Sequence, residues 1–162
     1  MVKSGKHGCA WAGAAAGLAG GLAGSLAMGW AHAALAKAVG AETHGGPQDS
    51  TVLAAEALIG PLSPAGKKIA APAVHFAFGA LMGAAYGAAA AKARPVAAAG
   101  GLAFGAALYA GAHAVALPKL RLAESPLDRP LAAEAVEFAA HLVYGAVAEG
   151  VRRAVAATLS WE

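Results

Sequence analysis

Three stretches without a single Lys, Arg, Asp or Glu, each long enough to cross a bilayer as a helix, constrain this chain more than any other feature. Cys9 to Ala36 carries His32 as its one imidazole, and Ile69 to Ala91 and Pro95 to Leu117 carry only His75 and His113. A helix needs about 20 residues to cross the hydrocarbon, and each run exceeds that. A fourth run, Leu131 to Leu159, is weaker because Glu134, Glu137, Glu149, Arg152 and Arg153 interrupt it. It spans only with help from its neighbours. Composition agrees: 59% of the residues are apolar and 13% charged, with a mean hydropathy of +0.57. An Ala-rich soluble bundle would approach those figures, so the segmentation carries the assignment.

The expected architecture is therefore all-α, a four-helix transmembrane bundle in one membrane domain covering residues 1–162, with spans near 9–37, 69–92, 95–118 and 131–157. A long polar connection, Val39 to Lys68, separates the first two spans, punctuated by Gly45, Gly46, Pro47, Pro61 and Pro64, with a short helix near Thr51 to Ile59. Lys92 to Pro95 makes the next connection very tight. Lys3, Lys6 and Ala31-His32-Ala33 also suggest a cleaved secretory signal, but its apolar region would be too long.

The order of short blocks points to internal duplication. Gly20-Gly21-Leu22-Ala23 leads to His32 and Lys37, as Gly100-Gly101-Leu102-Ala103 leads to His113 and Lys119, with about one gap. Leu53-Ala54-Ala55-Glu56-Ala57 recurs as Leu131-Ala132-Ala133-Glu134-Ala135, and His75-Phe76-Ala77-Phe78-Gly79 recurs as His141-Leu142-Val143-Tyr144-Gly145. Two helical hairpins of one orientation follow, unit one about 9–92 and unit two about 95–158, a parallel repeat about an axis along the membrane normal. The first carries an insertion, roughly Gly60 to Pro72.

Small residues let helix backbones approach where lipid gives no hydrophobic drive, so the GxxxG-like rows Gly13-Gly17-Gly21, Gly79-Gly83-Gly87 and Gly101-Gly105 mark contact faces. His75 and His113 fall on those faces. Basic residues divide evenly between the two sides, but Lys3, Lys6, Lys92, Arg94, Arg152 and Arg153 sit in short segments beside the spans. The positive-inside rule then puts both termini in the cytoplasm of a bacterial inner membrane, and the long connection outside.

His32 ends span one, His75 opens span two, His113 ends span three and His141 lies early in span four, so all four imidazoles belong near one membrane face. Glu134, Glu137 and His141 stand at i, i+3 and i+7 on one helix, and Glu56 is the repeat counterpart of Glu134. Ionisable groups at membrane depth call for a partner or a purpose. His32, His75, His113, His141, Glu134 and Glu137 together offer the N and O donors that suit Zn²⁺, Cu²⁺ or non-haem iron, or a proton relay. The same residues also suit packing alone, each His donating to a nearby carbonyl or hydroxyl, in an accessory subunit with no chemistry of its own. Two stacked haems need ligands at two depths, and these histidines share one. Glu149 precedes Arg152 and Arg153 by three and four residues, the spacing of a helical ion pair. No HExxH, twin CxxC, nucleophile elbow or Walker loop is present, so enzymatic chemistry has no local signature. Lone Cys9 makes no disulfide framework, and the basic residues form no face for nucleic acid. The partners expected are the lipid bilayer and either a homo-oligomer or a larger membrane complex.

Gly24-Ser25-Leu26-Ala27-Met28 in a Gly-rich first span, with later helices opening on His-x-x-aromatic-Gly at His75 and His141, resembles the YagU-like family of small bacterial inner-membrane proteins. That resemblance implies an inner-membrane helical protein and adds no reaction.

Overall fold

The computed structural model describes residues 5–41 and 49–159, so Lys3 and the turn signals Gly45, Gly46 and Pro47 lie outside the described residues. The chain runs through α1 (Gly5–Val39), α2 (Ser50–Ile59), α3 (Pro64–Lys92), an irregular 3₁₀-like stretch (Arg94–Gly101), α4 (Leu102–Tyr109), a π-helical segment (Ala110–Ala116), α5 (Leu117–Lys119) and α6 (Leu131–Leu159). No strand occurs among the described residues. Four segments are long and apolar enough to cross a membrane: Ala10–Val39, Pro64–Lys92, Pro95–Lys119 and Leu131–Thr158. The fold is the all-α four-helix arrangement expected, in a multi-pass membrane protein.

Burial is inverted relative to a water-soluble bundle. Leu18, Leu22, Leu26, Phe78 and Leu81 face outward, while Ser25, Glu134, Glu137, His141 and Glu149 are buried. Hydrocarbon asks for this pattern, because polar groups there must be satisfied inside the protein. Trp11 and Trp30 on α1 are 78% and 72% exposed. Nineteen residues of helix separate them by about 28 Å, close to the hydrocarbon thickness of about 30 Å. Indoles favour the two membrane interfaces, so the pair marks both boundaries.

Local sequence sets the helix ends. Asp49 caps α2 by accepting from the Thr51 amide at 2.8 Å, and Ser63 caps α3 by accepting from the Gly66 amide at 3.1 Å, with Pro64 preset in the first turn. The cap starts α3 five residues before Ile69, and Pro72 is accommodated within it. At the far end of α1, Gly40 takes φ +65° and the Ala41 amide returns to the Ala36 carbonyl at 3.0 Å. Arg121 makes the same left-handed stop after α5 at φ 58°, with Leu122 N–H on the Leu117 carbonyl and Arg121 N–H on that of Pro118.

The third span is not the continuous helix expected from residue 95. Ala99, Gly100 and Gly101 all take positive φ, and regular helix begins at Leu102. Pro95 cannot continue a hydrogen-bonded ladder, and Gly101 needs its missing side chain twice. It turns at φ 89°, and a Cβ there would lie 2.8 Å from the Gly145 carbonyl carbon. Farther along, the Ala110–Ala116 π-helix accommodates one more residue than an α-helix over a comparable rise.

α1 lies at the centre of the packing, against α3 on one side and α6 on the other, while α4 packs on α6. A Cβ at Gly13, Gly17 or Gly21 would strike the backbone of Gly87, Gly83 or Gly79, and one at Gly20 or Gly24 would strike Ala148 or Tyr144. A Cβ at Gly83 would lie 2.6 Å from the Gly21 Cα, whereas one at Gly29 meets nothing within 4 Å. Gly83→Leu therefore forces α1 and α3 apart and costs about 1–3 kcal/mol by overpacking. Its detergent melting temperature should fall while that of Gly29→Leu holds, and equal melting of the two variants would refute the contact.

Candidate metal centre

Three helices bring imidazoles to one carboxylate at the level of Trp30. Glu137 and His141 lie one turn apart on α6, His32 comes from α1 two residues beyond Trp30, and His113 comes from the π-helical segment. Nε2 of His32 lies 3.3 Å from Glu137 Oε2, Nε2 of His113 lies 3.4 Å from Oε1, and Nδ1 of His141 lies 3.5 Å from Oε1. Glu137 and His141 are each 5% exposed. Donor atoms of His113, Glu137 and His141 all lie within 4.8 Å of one another.

Chemistry assigns the tautomer of His141. Its Nδ1 lies 2.9 Å from the Glu137 backbone carbonyl, which only accepts, so Nδ1 carries the proton and Nε2 keeps its lone pair. Metal-ligating histidines are held in the same way, one ring N–H donating to a carbonyl while the other nitrogen binds. Two ligands on a tetrahedral ion with bonds of about 2.0–2.1 Å are about 3.3–3.4 Å apart, which is the spacing of His113 Nε2 from Glu137 Oε1. Two imidazoles and a carboxylate also make the donor set of open zinc and non-haem iron sites.

Tyr109 walls the cluster. Its ring stacks on His113 at 5.4 Å and meets His141 edge-on at 5.6 Å, and its hydroxyl donates to Glu134 Oε2 at 2.6 Å. Arg129 takes the other oxygen of Glu134 at 2.5 Å, leaving that carboxylate neutralised beside the cluster, outside it. His75 is also elsewhere: its Nε2 donates to the Ser25 carbonyl at 3.1 Å. Of the six residues singled out in the sequence, the structure joins His32, His113, His141 and Glu137, and gives His75 and Glu134 to other partners. Tyr109 and Arg129 were not singled out by sequence. A Tyr four residues before His113, on the same face, was the available signal for the first.

The opposite end of α6 holds a second buried carboxylate of another kind. Glu149 accepts from Arg152 Nε at 2.6 Å and Nη2 at 2.8 Å, from Arg153 Nε at 2.5 Å and from the Tyr86 hydroxyl at 2.8 Å. The expected ion pair is present and is doubled. Opposed contacts of Gly20 with Ala148 and Gly24 with Tyr144 put Glu149 across from about residue 19 of α1, about 12 Å inward from Trp11. At that depth the guanidinia are what make the carboxylate tolerable. Glu56 contrasts with both. It stands on α2 outside the spans, accepting from the Leu62 amide at 2.9 Å and pairing with Lys67 at 3.0 Å. That amide first, and then Lys67, hold its carboxyl below the ordinary range.

These features define a small multi-pass helical membrane protein with a buried His/Glu cluster at one membrane face. The family model described as a protein of unknown function, DUF1440, matches residues 64–150, more than half of the chain, and the protein belongs to that family. DUF1440 is the family of YagU-like proteins, so the resemblance read from the sequence holds at family level. The match takes in His113, Glu137 and His141 and stops short of α1 with His32. No curated protein and no solved structure matches the chain.

Two outcomes follow from these carboxylates. Glu149→Ala strands Arg152 in the bundle and should cost about 3–5 kcal/mol, the range for breaking a buried pair, so its thermal unfolding should shift far more than that of Glu56→Ala. The depressed pKa of Glu56 means that its ionised form stabilises the α2–α3 junction above the ordinary value of 4.5, and this support is lost as pH falls through the lowered value. Protection of the Leu62 amide, relative to its intrinsic exchange rate, should fall over that acid range in the native chain and be absent at all pH in Glu56→Ala. An amide insensitive to both would contradict the junction.

Proposed function

We propose that this protein binds a divalent transition-metal ion at His113, Glu137 and His141, with His32 holding the second carboxylate oxygen, as a membrane binding or transport module. The observation that carries this reading is the convergence of donor atoms of His113, Glu137 and His141 within 4.8 Å of one another, with His113 Nε2 3.4 Å from Glu137 Oε1, close to the spacing of ligands around a single ion. Zn²⁺, Fe²⁺ and Cu²⁺ suit the donor set. Proton relay is the runner-up for the same residues, since neutral imidazoles beside a carboxylate also pass protons.

The internal duplication supports placing the site where two like units meet. Gly21 meets Gly79 in the first unit as its counterpart Gly101 meets Gly145 in the second. His32 and His113 each stand eight residues before a left-handed helix stop, Gly40 and Arg121. The one-residue gap between the units falls where the second has its π-helical segment. The repeat runs about 9–92 and 95–158, with both termini on the cytoplasmic side of a bacterial inner membrane, and the site faces outward. A homo-oligomer or a larger membrane complex is the expected assembly.

Purified protein titrated with Co²⁺ should take up one ion per chain with visible ligand-field absorption, and a chelator should remove it. His113→Ala and Glu137→Ala should abolish the spectrum. His32→Gln should weaken binding by about 10–100-fold, as for a group orienting a ligand, and His75→Ala should leave it unchanged. A protein with no Co²⁺ spectrum but proton flux in liposomes would move the assignment to the relay. One with neither would stand as an accessory subunit.

A further inference from the structure

An open cavity of about 760 Å³ lies between the start of α2 and the segment that follows the π-helix, lined by Asp49, Leu53, Arg121, Glu124, Arg129 and His113 among others. His113 is the joint: it lines this cavity and also lies 3.4 Å from Glu137. Every other lining residue precedes α3 or follows the π-helix, beyond the Trp30 boundary, so the cavity belongs to the aqueous side of one membrane face.

On the bilayer side the cluster is backed by packed aromatic rings and close helix contacts. Beneath the cluster, Phe104 stacks on Tyr86 at 4.2 Å and meets Tyr144 at 5.8 Å, and the Tyr144 hydroxyl donates to the Gly79 carbonyl at 2.7 Å. Farther along, the backbones of α1 and α3 touch at Gly13, Gly17 and Gly21. Past this aromatic septum lies the Glu149 cluster, whose carboxylate is already occupied by two guanidinia.

We propose that the metal ion enters and leaves through this vestibule alone, from the face bearing the long connection, with His113 as the group that takes it from water. This rests on the metal reading and adds a side and a route to it. Arg129 is paired with Glu134, which leaves Asp49 and Glu124 against Arg121 in the vestibule lining, a slight acidic excess that favours a cation, and discrimination is left to the donors around Glu137. A dead-ended site of this kind captures, stores or hands on an ion at one surface and does not conduct it.

The test uses full-length protein with Cys9→Ser, into which Ala123→Cys is introduced at the vestibule wall, Leu122→Cys as a second variant there, and Lys92→Cys at the other face. Each is labelled with a bulky, membrane-impermeant methanethiosulfonate, and Co²⁺ uptake is followed by absorbance after rapid mixing. Label at either vestibule position should slow uptake at least tenfold, and label at Lys92→Cys should leave it unchanged. In liposomes of mixed orientation, external Co²⁺ should promptly load the fraction of unlabelled Ala123→Cys chains that the reagent can reach. Unchanged uptake after vestibule labelling, or prompt loading of every chain from outside, would overturn the route while leaving the metal site standing. Absence of a Co²⁺ spectrum in the unlabelled protein would overturn the site and the route together.

Discussion

Every other feature depends on backbone-to-backbone contact along α1. Lipid offers no hydrophobic reward for bringing helices together, so association must come from close packing and from internal satisfaction of polar groups. Gly13, Gly17 and Gly21 put one side of α1 against the backbone of α3, while Gly20 and Gly24 put another side against α6. Helices this close leave no room for large apolar side chains between them, which is why the buried residues are mostly alanine, glycine, tyrosine and the polar groups. It also carries His32 within reach of Glu137.

Glu137 and Glu149 sit on one helix, are both buried, and have been given opposite company. Two guanidinia and a phenol hold Glu149. An arginine does not surrender its proton in a protein, so that carboxylate is permanently countered and its duty is to hold α3 to α6. Glu137 is surrounded by imidazoles, which as neutral rings offer nitrogen lone pairs. The first arrangement is fixed in charge, whereas the second can exchange a proton or an ion.

The four apolar helices and the Glu149 pair were legible in the sequence because each rests on a local rule: length of an uncharged run, or spacing of three and four on one helix. The meeting of His32, His113 and His141 was legible in part, since span ends and starts bring those positions together. What escaped was decided between helices. Glu134 and Glu137 are three residues apart and equivalent by helical spacing, and only the placement of Tyr109 and Arg129 separates the one that is tied down from the one that meets the imidazoles. His75 looks like its counterpart His141 in sequence, yet the neighbouring Ser25 carbonyl claims it. The break at Ala99 to Gly101 was hidden because alanine and glycine read as ordinary membrane-helix residues until close contact with Gly145 makes a turn necessary.

That break fixes where the third span leaves the hydrocarbon. Ala98, Ala99 and Gly100 are exposed and off the helical ladder, and exposed irregular backbone does not occur within hydrocarbon. The crossing helix therefore starts at Leu102, and the 18 residues from there to Lys119 cover at most about 27 Å, close to the roughly 28 Å between Trp11 and Trp30. The amides and carbonyls of the turn then lie among headgroups and interfacial water, a polar notch in the leaflet opposite the vestibule.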